Sequence, residues 1–220
     1  MSQIVTIFRN IRETDTPFHR SVKCVLDRIK DGSSKDLVLR IRKETDKANR
    51  NELKKELPAV CFSGLFNKRS DASVQEHSGF ICLDFDGYGT KKEMKDERDR
   101  LSKDRYVYSV FTSPSGNGLK ALVRIPQDTD NHTNYFNALE KHFNSEHFDT
   151  TCKNISRVCY ESYDPLIFIN EGSELWTGLV ERDYVEVEVK RDVPTIPITD
   201  DNKVVDILVK WWTKKYGMVD

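Results

Sequence analysis

The sequence predicts an α+β fold, an antiparallel or mixed sheet with helices over one face. Three observations carry this. Short runs rich in β-branched and aromatic residues interleave with stretches of helical apolar periodicity. Two such runs, YVYSVFTS at 106–113 and LKALVRIP at 119–126, are separated only by PSGNG, so at least one hairpin breaks any strictly parallel winding. Hydrophobic residues make up 37% of the 220 and aromatics 10%, enough apolar material for a core.

The elements follow in order. QIVTIFRN (3–10) reads as a first strand. PFHRSVKCVLDRIK (17–30) sets Phe18, Val22, Val25, Leu26 and Ile29 at helical spacing, with Asp31-Gly32 as a stop. Residues 36–56 read as one charged helical stretch. Pro58 precedes the short strand AVCFSGLF, and the polar NKRSDASVQEHS (67–78) reads as a loop. A strand over 79–86 leads to a solvated helix over 90–104. After the hairpin, residues 131–146 form a helix with Tyr135, Phe136, Leu139 and Phe143 on one face. LIFIN (166–170) is a last short strand. Beyond residue 180, YVEVEVKRD reads as an edge strand and VPTIPITDDN as a linker. KVVDILVKWWTKKYG (203–217) reads as an amphipathic helix that docks or begins a following region. The expected organisation is one domain over 1–180, a strand and linker over 181–202, and a terminal helix over 203–220.

The 35 basic and 36 acidic side chains leave a net charge of -1, so nucleic-acid binding has to use a local basic groove. Five cysteines without a CxxC pair, and no apolar leader, fit a reducing compartment. No run reaches the ~20 apolar residues of a membrane helix. The expectation is a soluble, cytoplasmic protein without a membrane partner.

Three motifs carry chemistry. In FICLDFDGYG (80–89), strand alternation turns Ile81, Leu83 and Phe85 to one face and Cys82, Asp84 and Asp86 to the other. Two carboxylates ~4 Å apart at an effective dielectric of ~20 repel by about 4 kcal/mol. A divalent cation removes that penalty, and hard oxygen donors select Mg²⁺ or Mn²⁺. The bland alternative is one aspartate capping a turn and one solvated. In FTSPSGNGLKALVRI, Gly116 and Gly118 let backbone N–H groups face an anion, Ser113 and Ser115 add hydroxyls, and Lys120 stands at the loop exit on the face of Arg124. This suits a triphosphate; the alternative is a plain hairpin loop. In FDTTCKNISRVCYESYDP, Asp149 can complete a carboxylate set with Arg157 as a phosphate clamp, or can merely cap a turn. The five histidines show no metal-binding spacing; His77 and His147 are candidate auxiliary groups.

These motifs in this order resemble the archaeo-eukaryotic primase superfamily. The nearest likeness is to the primase-polymerase domain at the N-terminus of virulence-associated-protein-E-type proteins of mobile elements and phages. The resemblance rests on ICLDFD, SPSGNGLK and Phe148-Asp149, with SGLF, HSGF and SRVCYESYDP around them, over roughly residues 58–170. It implies an RRM-like central sheet flanked by helices, with an N-terminal α/β extension. It implies DNA primase-polymerase nucleotidyl transfer in mobile-element or phage replication. Asp84, Asp86 and Asp149 would hold two Mg²⁺ or Mn²⁺ ions that activate a 3′-hydroxyl. Ser113, Ser115, Gly116, Asn117 and Lys120 would grip the triphosphate, and Arg157 would help bind the nucleotide. The implied partners are nucleoside triphosphates, a DNA template and an attached helicase. The superfamily's second motif usually ends in histidine; Lys120 stands there, a point charge in place of an imidazole.

Two rival readings share the residues. ICLDFDGYGT also resembles the first motif of haloacid-dehalogenase-like phosphatases, with Asp84 as nucleophile, Asp86 as acid/base and ITDDNKVVD as a late acidic motif. The other rival is a nucleic-acid-binding module that kept the primase fold without catalysis.

Overall fold

Residues 3–180 and 201–217 are described by the structure, a computed structural model. The chain divides into two units, Met1–Glu181 and Arg182–Asp220. The expected edge strand at 184–192 lies outside the described residues, as does most of the linker.

The first unit begins with β1 (Ile4–Phe8), which buries Val5, Ile7 and Phe8. β2 (Phe18–Ser21) pairs antiparallel with it. The helix expected from residue 17 therefore starts later. Ser21 accepts a hydrogen bond from Cys24 N and caps α1 (Val22–Asp31), while Phe18 sits exposed on the edge strand. Gly32, at φ +90°, closes α1 in the left-handed conformation. The single helical stretch expected over 36–56 is two helices, α2 (Lys35–Lys43) and α3 (Lys47–Lys54). The chain is extended at Glu44, and Asp46 caps the second helix by accepting from Asn49 N at 2.8 Å. β3 (Ala59–Cys61) pairs with β1 and with β9 (Cys159–Tyr160), giving a sheet of order β2-β1-β3-β9.

β4 (Gly64–Phe66) pairs with β5 (Val74–His77), which lies inside the segment read as a loop. Gln75 and Glu76 are exposed, so the strand carries no apolar signature. β6 (Phe80–Phe85), α4 (Lys91–Lys103), β7 (Val107–Thr112), β8 (Leu119–Arg124) and α5 (His132–Phe143) follow. With β10 (Phe168–Ile169) the strands form an antiparallel sheet of order β10-β7-β8-β6. The first and third strands of this β-α-β-β-α run are neighbours, and the fold class is the α+β arrangement that the sequence predicts.

This sheet positions the site. On one face Ile81, Leu83, Phe85, Leu119, Ala121 and Val123 pack against Leu101 of α4 and Tyr135, Phe136, Leu139 and Phe143 of α5. The sequence expects helices over one face only; on the other, Phe80, Phe111 and Leu122 pack against Val5 and Ile7 of β1 and Val22, Val25, Leu26 and Ile29 of α1. Helices thus cover one face and the N-terminal sheet with α1 the other. Asp84, near the end of β6, turns to that side and is largely shielded from solvent, while Asp86 just beyond the strand is exposed.

The second unit shows α6 (Asp201–Tyr216). Its Val205, Ile207, Leu208, Trp211 and Trp212 are all exposed. Among the described residues no helix is long and apolar enough to cross a membrane.

Candidate active site

Register decides what meets the two aspartates. β6 pairs with β8 so that Asp84 lies directly opposite Lys120. The Lys120 ammonium contacts Asp84 Oδ2, and each side chain keeps only 14% of its surface exposed. Burial alone would lower the pKa of Lys120, but Asp84, with weaker help from Cys159 and Cys82, pushes it well above its ordinary value. The lysine is therefore a fixed internal cation.

A third segment lies against the end of β6. Asp86 N donates to His147 O at 2.8 Å and Asp149 N to Asp84 O at 2.9 Å, bracketing a bridge between Phe85 and Phe148. The Phe148 ring anchors this segment in the core, 5.3 Å from Phe85 and 5.2 Å from Phe136. Alternation then turns Asp149 the other way, toward Asp84. The apolar-Asp motif is thus one side chain for docking and one for the site.

Asp149 both caps a turn and faces Asp84. Its Oδ1 accepts from Thr151 N at 2.9 Å and Thr151 Oγ1 at 2.7 Å. Its Oδ2 accepts from Cys152 Sγ at 2.9 Å. Burial alone would raise the Asp149 carboxyl, but these bonds and Arg157 bring its pKa below the ordinary value. Burial and the neighbouring Asp149 push the Cys152 thiol up to about 12, so it stays a neutral donor. Donor atoms of Asp84, Asp149 and Cys152 all lie within 4.8 Å of one another. Asp86 stands outside that group, on the exposed end of the strand. Its pKa is raised by burial and by Asp84, against the pull of Lys120.

The loop before Lys120 is closed by Ser113 N donating to Gly118 O at 2.8 Å and Gly116 N to Ser113 O at 2.9 Å. Gly116 has φ +77°, and a Cβ on Gly118 would collide with the Asp86 carboxylate. Behind the loop, Arg42 Nη2 donates to Ser113 O at 3.2 Å and Tyr163 O at 2.8 Å. Arg42 is a site-building residue that the sequence reading missed.

A cavity of about 740 Å³ opens over these groups, within the range of small-molecule sites. Asp84, Asp86, Ser113, Ser115, Asn117, Lys120 and Arg157 line it; Gly116 turns away and packs on the Arg42 stem. Lys47, Arg50 and Lys54 of α3 and Arg69 line it as well, none of them singled out from sequence. Their signal was there: positions 47, 50, 51 and 54 share one helical face. Burial and Arg50 lower the pKa of Lys54. Two atoms in the cavity wall are buried without a hydrogen-bond partner, Asp84 Oδ1 and Ser113 Oγ. A bare carboxylate oxygen beside a second carboxylate fits a hard divalent cation, and an idle hydroxyl at the loop fits an anion.

A family described as BT4734-like, N-terminal domain, has a model that matches residues 52–168. No curated protein sequence matches the chain. Among solved structures, the AEP domain of the cyanophage S-2L primase-polymerase aligns at 14% identity with a TM-score of 0.41, covering 80% of this chain and 84% of that one.

Proposed function

We propose, from the premise that this chain belongs to the BT4734-like N-terminal domain family, that it is a nucleotidyltransferase of the primase-polymerase kind. The carrying observation is the docking of Asp149 on Asp84, which brings carboxylates from distant segments together, with Asp84 and Asp86 lining a cavity that has cationic walls. Asp84 and Asp149 would hold Mg²⁺ or Mn²⁺, with Asp86 beside them as a further donor. A divalent cation bound there supplies charge neutralisation for attack of a 3′-hydroxyl on an α-phosphate.

The chain's own groups do the rest. Ser113 Oγ and those backbone N–H groups of the turn that are not bonded within it, on Ser115, Asn117 and Gly118, donate to phosphate oxygens. Ser115 and Asn117 stand on the same wall, and Arg157 opposes the developing negative charge. Lys120 neutralises Asp84 and would offer its ammonium to phosphate with a cation held on the carboxylate. The substrates are nucleoside triphosphates and a nucleic-acid strand.

A haloacid-dehalogenase-like phosphatase needs a doubly wound parallel sheet, and every strand pairing around Asp84 is antiparallel. A non-catalytic module remains a second reading, favoured by the Lys120–Asp84 contact that occupies one carboxylate oxygen. The test is Mn²⁺-dependent extension of a primed single strand, with Mn²⁺ binding followed by electron paramagnetic resonance. Asp84→Asn with Asp149→Asn is expected to abolish both. Extension undiminished in that double variant rejects the site, and strand binding without any extension by the unaltered chain supports the non-catalytic module.

A further inference from the structure

Besides Lys120, five cations, Lys47, Arg50, Lys54, Arg69 and Arg157, line the cavity, in a chain whose formal net charge is only -1. Among the described residues none of the five has a carboxylate within ion-pair distance. Helix α3 sorts its charges. Lys47, Arg50 and Lys54 line the cavity, while its carboxylate Glu52 is occupied elsewhere by Lys55 at 2.6 Å and Arg12 at 3.4 Å. With Lys120, six cations line the cavity against the two carboxylates Asp84 and Asp86, and the surplus positive charge favours an anion. The triphosphate cradle beside Ser113 leaves most of it unused.

We infer that the α3 wall, Lys47, Arg50 and Lys54, holds the phosphate backbone of a single-stranded nucleic acid, distinct from the triphosphate cradle. Three basic residues spread over seven positions span ~10 Å at the helical rise of ~1.5 Å per residue. That length accommodates about three phosphates at the ~3.4 Å axial spacing of one B-form strand. Tyr160, Val158 and Ile11 line the same cavity and give bases an aromatic and apolar surface. A basic track beside a stacking surface is the requirement of a single strand, whose bases are free to reach it; a duplex hides them. The inference names the strand subsite of the proposed transferase and rests on that reading for its place in a reaction, but its test does not need catalysis.

The experiment is fluorescence anisotropy with labelled single-stranded DNA and with RNA of the same sequence, without nucleotide, over a range of salt. Lys47→Gln with Arg50→Gln is the variant, and Lys141→Gln, outside the cavity lining, is the control. Both altered α3 side chains lie on a surface helix face, and circular dichroism checks the fold; Lys47→Glu alone serves as a second variant. The double variant is expected to bind the strand about tenfold more weakly, with a log–log salt slope shallower by about 1.4, two contacts at ~0.7 each. Its Mn²⁺-dependent affinity for a nucleoside triphosphate is expected to stay unchanged. Equal strand affinity and slope in variant and unaltered chain overturn the inference. So does a loss of triphosphate affinity with strand binding intact, which would make α3 part of the cradle. The DNA and RNA arms separate the two sources of the backbone. A chain that binds strands through α3 yet never extends them sinks the transferase reading alone; one that extends them with Lys47 and Arg50 irrelevant to strand binding sinks this inference alone.

Discussion

Replacing Lys120 tests the electrostatics of the site most directly. Its ammonium contacts Asp84 where both side chains are 14% exposed, with Asp86 and Asp149 nearby. Removing one partner of a buried pair typically costs about 3–5 kcal/mol, because the other charge is left uncompensated. Methionine keeps much of the length and apolar stem, so packing loss is small. For a chain of this size ~1 kcal/mol moves Tm by about 2–4 °C, so Lys120→Met is expected to melt about 10 °C lower in chelator. Asp84 then loses its contacting counter-ion, while Asp149 keeps Arg157 and its hydrogen bonds and Asp86 keeps Lys54. Mn²⁺ at a hundred times its Kd adds about 2.7 kcal/mol, which recovers much of the loss. In the unaltered chain the cation has to displace or share with the ammonium, so its Tm gain is smaller. The assay is differential scanning calorimetry of both proteins in chelator and in Mn²⁺. Equal melting in chelator, or equal gains from Mn²⁺, would refute the role of Lys120 as internal counter-ion.

Three further outcomes are expected. Arg42→Ala removes the donor to Ser113 O and Tyr163 O and the stem under Gly116; it is expected to cost about 2 kcal/mol and to weaken triphosphate affinity, and a nucleotide titration matching the unaltered chain would contradict this. Glu161 is fully buried and accepts from Arg28 Nε at 2.7 Å, Arg28 Nη2 at 3.0 Å and Ser34 Oγ at 2.5 Å. Glu161→Gln is expected to lose about 2 kcal/mol in urea denaturation, less than a fully enclosed pair because the freed Arg28 reaches water, and an unmoved midpoint would argue against it. His77 Nε2 and His132 Nδ1 lie 3.0 Å apart in the interior, and burial pushes their pKa values down to about 4 and about 3. Above the unfolded value of ~6.5 both states are neutral and stability is full. As pH falls from there toward the folded values, the unfolded chain takes up protons that the fold refuses, and stability drops. His132→Asn is expected to flatten that slope between about pH 6.5 and 5, and identical slopes would exclude the pair as its source.

What the sequence makes legible here follows from range. Alternation in ICLDFD turns both aspartates away from Leu83 and Phe85, and the structure keeps that geometry because it is local. The α1 stripe of Val22, Val25, Leu26 and Ile29 is likewise local; only its start moves, because Ser21 caps more effectively than Phe18 packs. β5 escapes notice since its pairing with β4, and not its composition, makes it a strand. The cavity face of α3 is periodic in the sequence, but residues 43–56 around it are polar or charged apart from Ala48 and Leu53, so no apolar stripe marks the inward face. The docking of Leu53 with Val38, Ile41 and Leu57 decides which face turns inward. Cys152 reaches the carboxylates only through the turn capped by Asp149.

The Asp84–Lys120 contact belongs to the same class and matters most. β6 and β8 are separated by a helix and a strand, so no local turn fixes their register, and either residue alone reads correctly as carboxylate ligand or phosphate grip. Placed opposite each other, they make those two roles interdependent: the ammonium that neutralises Asp84 Oδ2 has donors left for a phosphate, and Asp84 keeps Oδ1 for a metal. In the proposed reaction both roles therefore belong to one pair: Asp84 would hold a divalent cation, which would supply charge neutralisation there, while Lys120 would balance Asp84 and face a phosphate. With Lys120 in place, Asp84 has its counter-charge before any ligand arrives, so a metal that binds there meets a carboxylate already neutralised on one oxygen.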